Sequence, residues 1–288
     1  MIKVSKLIVI LVAVMVIATP VFAASLPNQW PSAGNNLSNT RYQDNTSLKA
    51  QKVGNLQVQW QFTTGGDVSA TPSVDTNNVY FPDWGGNLWA VDRVSGAAVW
   101  SHKISDYTGI AGDIARDTPA ISGNMLIFGD QAGYHGSGAA NVMAVDKTNG
   151  NLLWKTSVGS VFTIITQSAV VDNGTVYIGL ASAEEAFEGF IPGYPCCSFR
   201  GAVVALDAQT GAIQWQTYTA PEGYSGNSVW GSTPVVDHKR NSLYITTGNN
   251  YSIPADAQSC FLAAGSDPAA VKACMAADNY FDSILALD

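Results

Sequence analysis

Ala90-Val91-Asp92-Arg93-Val94-Ser95-Gly96-Ala97-Ala98-Val99-Trp100 is the stretch whose reading decides the fold, because its frame returns twice in full. The frame Ala-x-Asp-x-x-x-Gly-x-x-x-Trp recurs at Ala144, Asp146, Gly150, Trp154 and at Ala205, Asp207, Gly211, Trp215, and Ala286-Leu287-Asp288 opens a fourth copy. A repeat with fixed internal spacing constrains architecture more than local propensity does. Each copy reads as a β-hairpin. Leu88–Val91, Val142–Val145 and Val203–Leu206 predict the first strand. The Asp can accept hydrogen bonds from the turn backbone, and the Gly tolerates positive φ. The second strand ends in Trp, whose large ring needs a surface to bury against.

Working outward, each hairpin is preceded by two more apolar segments. The nearer ones are Asn78–Phe81, Met125–Phe128, Thr175–Ile178 and Ser242–Ile245; the farther ones are Ala70–Val74, Thr118–Ile121, Ser168–Val171 and Ser232–Val236. That predicts an all-β chain of four-stranded units. Successive Asp positions lie 54, 61 and 81 residues apart, the growth coming from polar, Gly-rich insertions at Glu184–Tyr194 and Asn250–Asn279. Such units predict a β-propeller with binding loops gathered at one end of its channel. About four blades are expected here, and Gln57–Trp60 is expected as one strand of a ring-closing blade.

Composition agrees. The chain is 47% hydrophobic and only 12% charged, with 27 Gly and 8 Trp, which suits short strands and tight turns. A net charge of −8 without a basic patch argues against a nucleic-acid partner. Lys3 and Lys6, the apolar run Leu7–Ala18 and the small-residue site Val21-Phe22-Ala23 predict a secretory signal over residues 1–23. The run is short for a membrane span. The mature chain, 24–288, is expected in the periplasm or outside the cell, with no span after cleavage, where disulfides persist. His102, His135 and His238 are scattered and predict no zinc site. No Cys-x-x-Cys-His predicts covalent haem, and no Gly-rich loop opens a helix for a nicotinamide dinucleotide.

The repeats, together with Trp30-Pro31-Ser32-Ala33-Gly34-Asn35 and Asn39-Thr40-Arg41-Tyr42, resemble the quinoprotein dehydrogenases, which carry pyrroloquinoline quinone in an eight-bladed propeller. Cys196-Cys197-Ser198-Phe199-Arg200-Gly201, Ser228-Val229-Trp230-Gly231, Tyr244–Asn249 and Asp278–Ile284 are most like the branch that oxidises polyvinyl alcohol. The resemblance implies an alcohol dehydrogenase that passes hydride to calcium-bound quinone and electrons to a cytochrome c. It also implies that 24–288 is the N-terminal half of the propeller, cut within its fourth full repeat. Outer-membrane assembly propellers share the repeat and bind no quinone, so a non-catalytic binding or assembly scaffold is the alternative.

The resemblance also assigns residues. In related quinoproteins an adjacent-cysteine ring lies flat on the cofactor, which gives that role to Cys196 and Cys197. Neighbouring Cα atoms stand about 3.8 Å apart, below the usual disulfide span, so the ring is a tight one. Four cysteines allow three pairings; the pairing implied is Cys196–Cys197 with Cys260–Cys274. Trp230 takes the opposite face of the quinone. Arg116, Thr166 and Ser228 take the polar contacts. Glu184 and Asn249 take the calcium, with Glu185 a rival for Glu184. In the methanol-oxidising branch the paired cysteines come a blade earlier, ahead of the Glu, whereas here they follow Glu184. The family's catalytic Asp follows the fourth blade's Trp, so it is expected beyond Asp288, itself the turn Asp of the repeat.

Overall fold

The structure, a computed structural model, describes residues 29–288 apart from 45, 137 and 232. The expected export signal lies outside the described residues.

The repeats fold as four-stranded antiparallel sheets. The first holds β1 (Ser73–Val74), β2 (Asn78–Pro82), β3 (Asn87–Asp92) and β4 (Ala98–Lys103), followed by α1 (Ile104–Thr108). The second holds β5 (Ala120–Ser122), β6 (Met125–Gly129), β7 (Ala140–Asp146) and β8 (Leu152–Val158). The third is five-stranded: β9 (Thr163–Ile164) adds to the end of β11 (Thr175–Ser182), which also pairs with β10 (Val170–Asp172). After α2 (Glu184–Phe190) come its β12 (Ala202–Asp207) and β13 (Ile213–Tyr218). Then follow β14 (Ser225–Gly226), β15 (Val235–Asp237), β16 (Ser242–Thr246), β17 (Asn250–Ser252), α3 (Ala255–Ala264), α4 (Pro268–Ala273) and β18 (Ile284–Leu287). Among the described residues, β15, β16 and β18 form a three-stranded sheet, and β14 pairs with β17.

The hairpin frame has one geometry throughout. A register shift falls after its Ala in each copy, at Ala90, Ala144 and Ala205. The Asp carboxylate accepts from the turn: Ser95 N at 2.7 Å onto Asp92, Thr148 N at 2.7 Å onto Asp146, Thr210 N at 2.8 Å onto Asp207. The Gly sits at φ +73, +75 and +71°.

Trp60, Trp100 and Trp154 dock on the turn of the following repeat, Trp154 buried and the other two partly so. Nε1 of Trp60, Trp100 and Trp154 donates to the carbonyl of Arg93, Lys147 and Ala208, each at 3.0 Å. These carbonyls all belong to the residue after the turn Asp. A Cβ on Gly96, Gly150 or Gly211 would strike the ring of Trp60, Trp100 or Trp154. The turn glycine thus has two reasons to be glycine, its φ and the ring lying on it.

Neighbouring sheets bury shared apolar clusters. Tyr80, Leu88, Leu126 and Phe128 join the first two sheets; Ile127, Val142, Ile178 and Val204 join the second and third; Val203, Leu243 and Ile245 join the third and last. The segment from Trp30 to Asn39 crosses the first strands near their tight turns. It bridges Val74, its Pro31 carbonyl accepts from Ile121, and Leu37 accepts from Val236.

Two expectations change. Gln57–Trp60 is not a strand; no ladder forms across it among the described residues, and its side chains hold it on the turn at Arg93 and Val94 instead. The chain, expected as all-β, is mostly β: its insertions carry α2, α3 and α4.

Candidate functional site

The connections β2–β3, β6–β7, β11–β12 and β16–β18 lie at the sheet ends opposite the tight turns, as do the segments entering the first strands. The site is built on this face. Arg116 and Thr166 stand in equivalent frames, Arg116-Asp117-Thr118-Pro119 and Thr166-Gln167-Ser168-Ala169, just ahead of β5 and β10. The two frames are tied by Thr118 N donating to Ser168 Oγ at 2.9 Å.

Thr166 Oγ1 donates to the Trp230 carbonyl at 2.8 Å. The Gly248 N–H donates to the Ser228 carbonyl at 2.9 Å, and a Cβ on Gly248 would come 3.1 Å from Trp230 Nε1. Thr166, Ser228, Trp230 and the chain at Asn249 therefore form one cluster. Trp230 is 56% exposed, so its ring offers a free aromatic surface at the centre of that cluster. Ser228 Oγ pairs with Tyr251 Oη at 2.6 Å. Burial pushes the Tyr251 hydroxyl up to about 12, opposed by Ser228 and reinforced by the carboxylates of Glu185 and Glu184.

Arg116 stands apart from these contacts. Its guanidinium lies 5.4 Å from the ring centroid of Trp84, an attractive cation–π placement. Trp84 is half-exposed and anchored by Nε1 to Ser69 Oγ at 2.9 Å. Sequence reasoning missed Trp84. The signal was available: like Trp230, it lies outside the repeat's Trp position.

Glu184 and Glu185 open α2 rather than an extended chain, so they point to different sides. Glu184 is buried, and both its oxygens are occupied. Ser198 N lies at 3.0 and 2.9 Å, Phe199 N at 2.7 Å, Ser198 Oγ at 3.1 Å and Tyr194 Oη at 3.2 Å. All three donor residues belong to the segment carrying Cys196 and Cys197, which are disulfide-bonded, as are Cys260 and Cys274. Glu185 is exposed, on the Tyr251 side. Asn249 is exposed and donates to the Asn250 carbonyl at 3.1 Å.

A planar acidic quinone suits this donor set: an open Trp surface, a guanidinium and hydroxyls. A calcium ion asks for six to eight oxygens. The Glu184 carboxylate is already committed to five hydrogen bonds, and among the described residues no group of three His, Cys, Asp or Glu could hold a metal. Glu184 as placed fits a loop anchor and does not fit a metal ligand.

A family model described as outer membrane protein assembly factor BamB matches residues 57–271. The chain is 30% identical to a polyvinylalcohol dehydrogenase of Sphingopyxis sp. (strain 113P3), over 88% of this chain and 41% of that protein. It is 28% identical to a polyvinylalcohol dehydrogenase of Pseudomonas sp., over 81% and 38%. The chain thus spans about two fifths of the length of the curated relatives it matches. The crystal structure of a quinohemoprotein alcohol dehydrogenase from Comamonas testosteroni superposes with a TM-score of 0.67 at 23% identity, covering 92% of this chain and 40% of that one. That likeness is one of fold.

Proposed function

We infer that this chain, which belongs to the PQQ-repeat family described as outer membrane protein assembly factor BamB, is the quinone-binding part of a propeller-built alcohol dehydrogenase. The observation that carries this is Trp230. The hairpin frame places its own Trp residues against the next repeat, but Trp230 is exposed and held by Thr166 and Gly248 on the loop face. The polyvinylalcohol dehydrogenases among the relatives support a secondary alcohol as substrate.

When bound, pyrroloquinoline quinone supplies a hydride acceptor. This chain's residues bind and orient it. Trp230 offers an aromatic face that excludes water at little entropic cost. Arg116, steadied by Trp84, offers a cation to a carboxylate. Cys196–Cys197, whose loop Glu184 fixes, offers a second surface. Electrons go on to a cytochrome c. The leader reading places the protein in the periplasm or outside the cell; among the described residues no helix is long and apolar enough to cross a membrane.

The test is titration of the chain with the quinone, following Trp fluorescence, in parallel with Trp230→Ala. Saturable quenching in the parent that weakens about tenfold in the variant supports the reading, since an aromatic contact is worth roughly 0.5–1.5 kcal/mol beyond its area. No binding by either protein favours a non-catalytic scaffold.

A further inference from the structure

We propose that Asp117, Asp130 and Asp113, capped at the surface by His135, form a route by which protons leave the Arg116 end of the site for solvent. The proposal rests on the dehydrogenase reading above, because it needs a source of protons.

Asp113 and Asp117 flank Arg116 on the segment entering β5. Asp130 starts the β6–β7 connection, whose short helical turn Ala132–His135 brings His135 back to the surface. The three carboxyl groups are at most 1% exposed, and His135 is 30% exposed. Backbone contacts fix their order. Asp117 Oδ2 accepts from Gly129 N at 2.9 Å, one residue before Asp130. Gln131 N donates to the Ile114 carbonyl at 2.9 Å, which sets Asp130 beside Asp113, and each acts on the other's ionisation. His135 Nε2 is 4.0 Å from Asp113 Oδ1. The other polar groups facing the chain are Arg116 beside Asp117 and the Thr108 hydroxyl beside Asp113.

A structural role explains only part of this. Asp83 holds the same place in the first sheet as Asp130 in the second. Asp83 clamps Asn87 N and Nδ2 as Asp130 clamps Asn141 N and Nδ2. Asp83 needs no second acid. It takes donors from Trp89 and Gly65, and these with Asn87 outweigh its burial and lower it. Around Asp130 two further acids are buried, and Asp113 Oδ2 and Asp117 Oδ1 have no partner. Three buried carboxyls this close cannot all be ionised. Burial raises all three; the Asp113 charge adds to it at Asp130, pushed up to about 7, and the Asp130 charge adds to it at Asp117, whereas at Asp113 the hydrogen bond with Asp130 works the other way.

Oxidation of an alcohol to a carbonyl releases two electrons and two protons. The electrons pass through the quinone to a one-electron acceptor; the protons must reach water. Along the route each carboxyl takes a proton on one oxygen and gives one from the other, and His135 exchanges with solvent, so the chain itself is unchanged after each transfer.

Two measurements test this. Infrared spectroscopy of the chain without quinone should show a protonated carboxyl band at neutral pH that is reduced in Asp130→Asn; its absence overturns the proton-holding chain. In the full-length protein loaded with quinone, His135→Ala should slow turnover several-fold with quinone affinity unchanged, and added imidazole should restore it. Turnover indifferent to His135→Ala, or slowed without rescue, overturns the route. Failure of the parent to turn over any alcohol is a different result: it removes the dehydrogenase reading, and the route with it.

Discussion

Trp154 Nε1 donates to the Ala208 carbonyl at 3.0 Å across 54 residues of sequence, and the Trp154 ring covers Gly211. Each hairpin is thereby fastened to the turn of the next. Trp154→Phe should cost about 1 kcal/mol, the net worth of one hydrogen bond. Gly211→Ala must meet both the ring and φ +71°, and should cost about 1–3 kcal/mol. Because the two residues touch, the double variant should lose less than the sum. Urea unfolding checks all three; a Gly211→Ala chain as stable as its parent would show that the contact does not constrain the turn.

What the sequence made legible follows from periodicity. The Ala, Asp, Gly and Trp of the frame each do a local job, so the hairpins and the strands before them could be read with nearly the right bounds. Trp60 was harder. Its docking on Gly96 matches the other Trp contacts, but a strand exists only where a ladder partner does, and Gln57–Trp60 has none among the described residues. Of the insertion helices only α4 carries a start signature, Asp267 accepting from Ala269 N ahead of Pro268; α2 and α3 begin without a side-chain cap. Glu184's five hydrogen bonds could not be read, because its donors lie 10 to 15 residues away in a loop of no regular pattern. Nor could the meeting of Asp113, Asp117 and Asp130, which depends on packing between a strand entry and a loop.

Those acids give the stability a particular pH profile. Burial, with the Asp113 charge beside it, pushes the folded Asp130 carboxyl up to about 7 from its ordinary 3.8. Between these values the native state holds more protons than the unfolded one, so stability falls as pH rises. Asp113 and Asp117 are raised too and act in the same direction. Lowered groups such as Asp75 and Asp83 act below about 3.8, where stability falls as pH drops. The urea midpoint should therefore rise on acidification from pH about 7 to about 5, and Asp130→Asn should flatten that slope. A midpoint that rises with pH across this window would contradict the sign.

Glu184 should behave as an anchor for the cysteine loop. Glu184→Ala leaves the Ser198 and Phe199 N–H groups without their acceptor; the buried Phe199 N–H should cost about 1–3 kcal/mol, and the Ser198 N–H, on an exposed residue that water can reach, less. The local signs should be faster hydrogen exchange at Ser198 and Phe199 and easier reduction of Cys196–Cys197. Glu184→Gln keeps one acceptor oxygen and should fall between. Unchanged exchange in Glu184→Ala would mean that the loop is held by other contacts.

The Cys260–Cys274 bridge closes a 14-residue separation, for which loop-closure entropy suggests about 3 kcal/mol. That figure should not appear in global stability. The bridge joins α3 to the end of α4 within one insertion, and of the residues in those two helices only Ala257 is buried. Helices this exposed draw little stability from packing and are marginal alone. Cutting the bridge should therefore release the insertion while leaving the sheets intact. In Cys260→Ser/Cys274→Ser, hydrogen exchange across 255–274 should rise sharply while β16 and β18, between which the insertion runs, keep their protection and the urea midpoint barely moves. Loss of protection in those strands would show instead that the insertion supports the sheet it leaves.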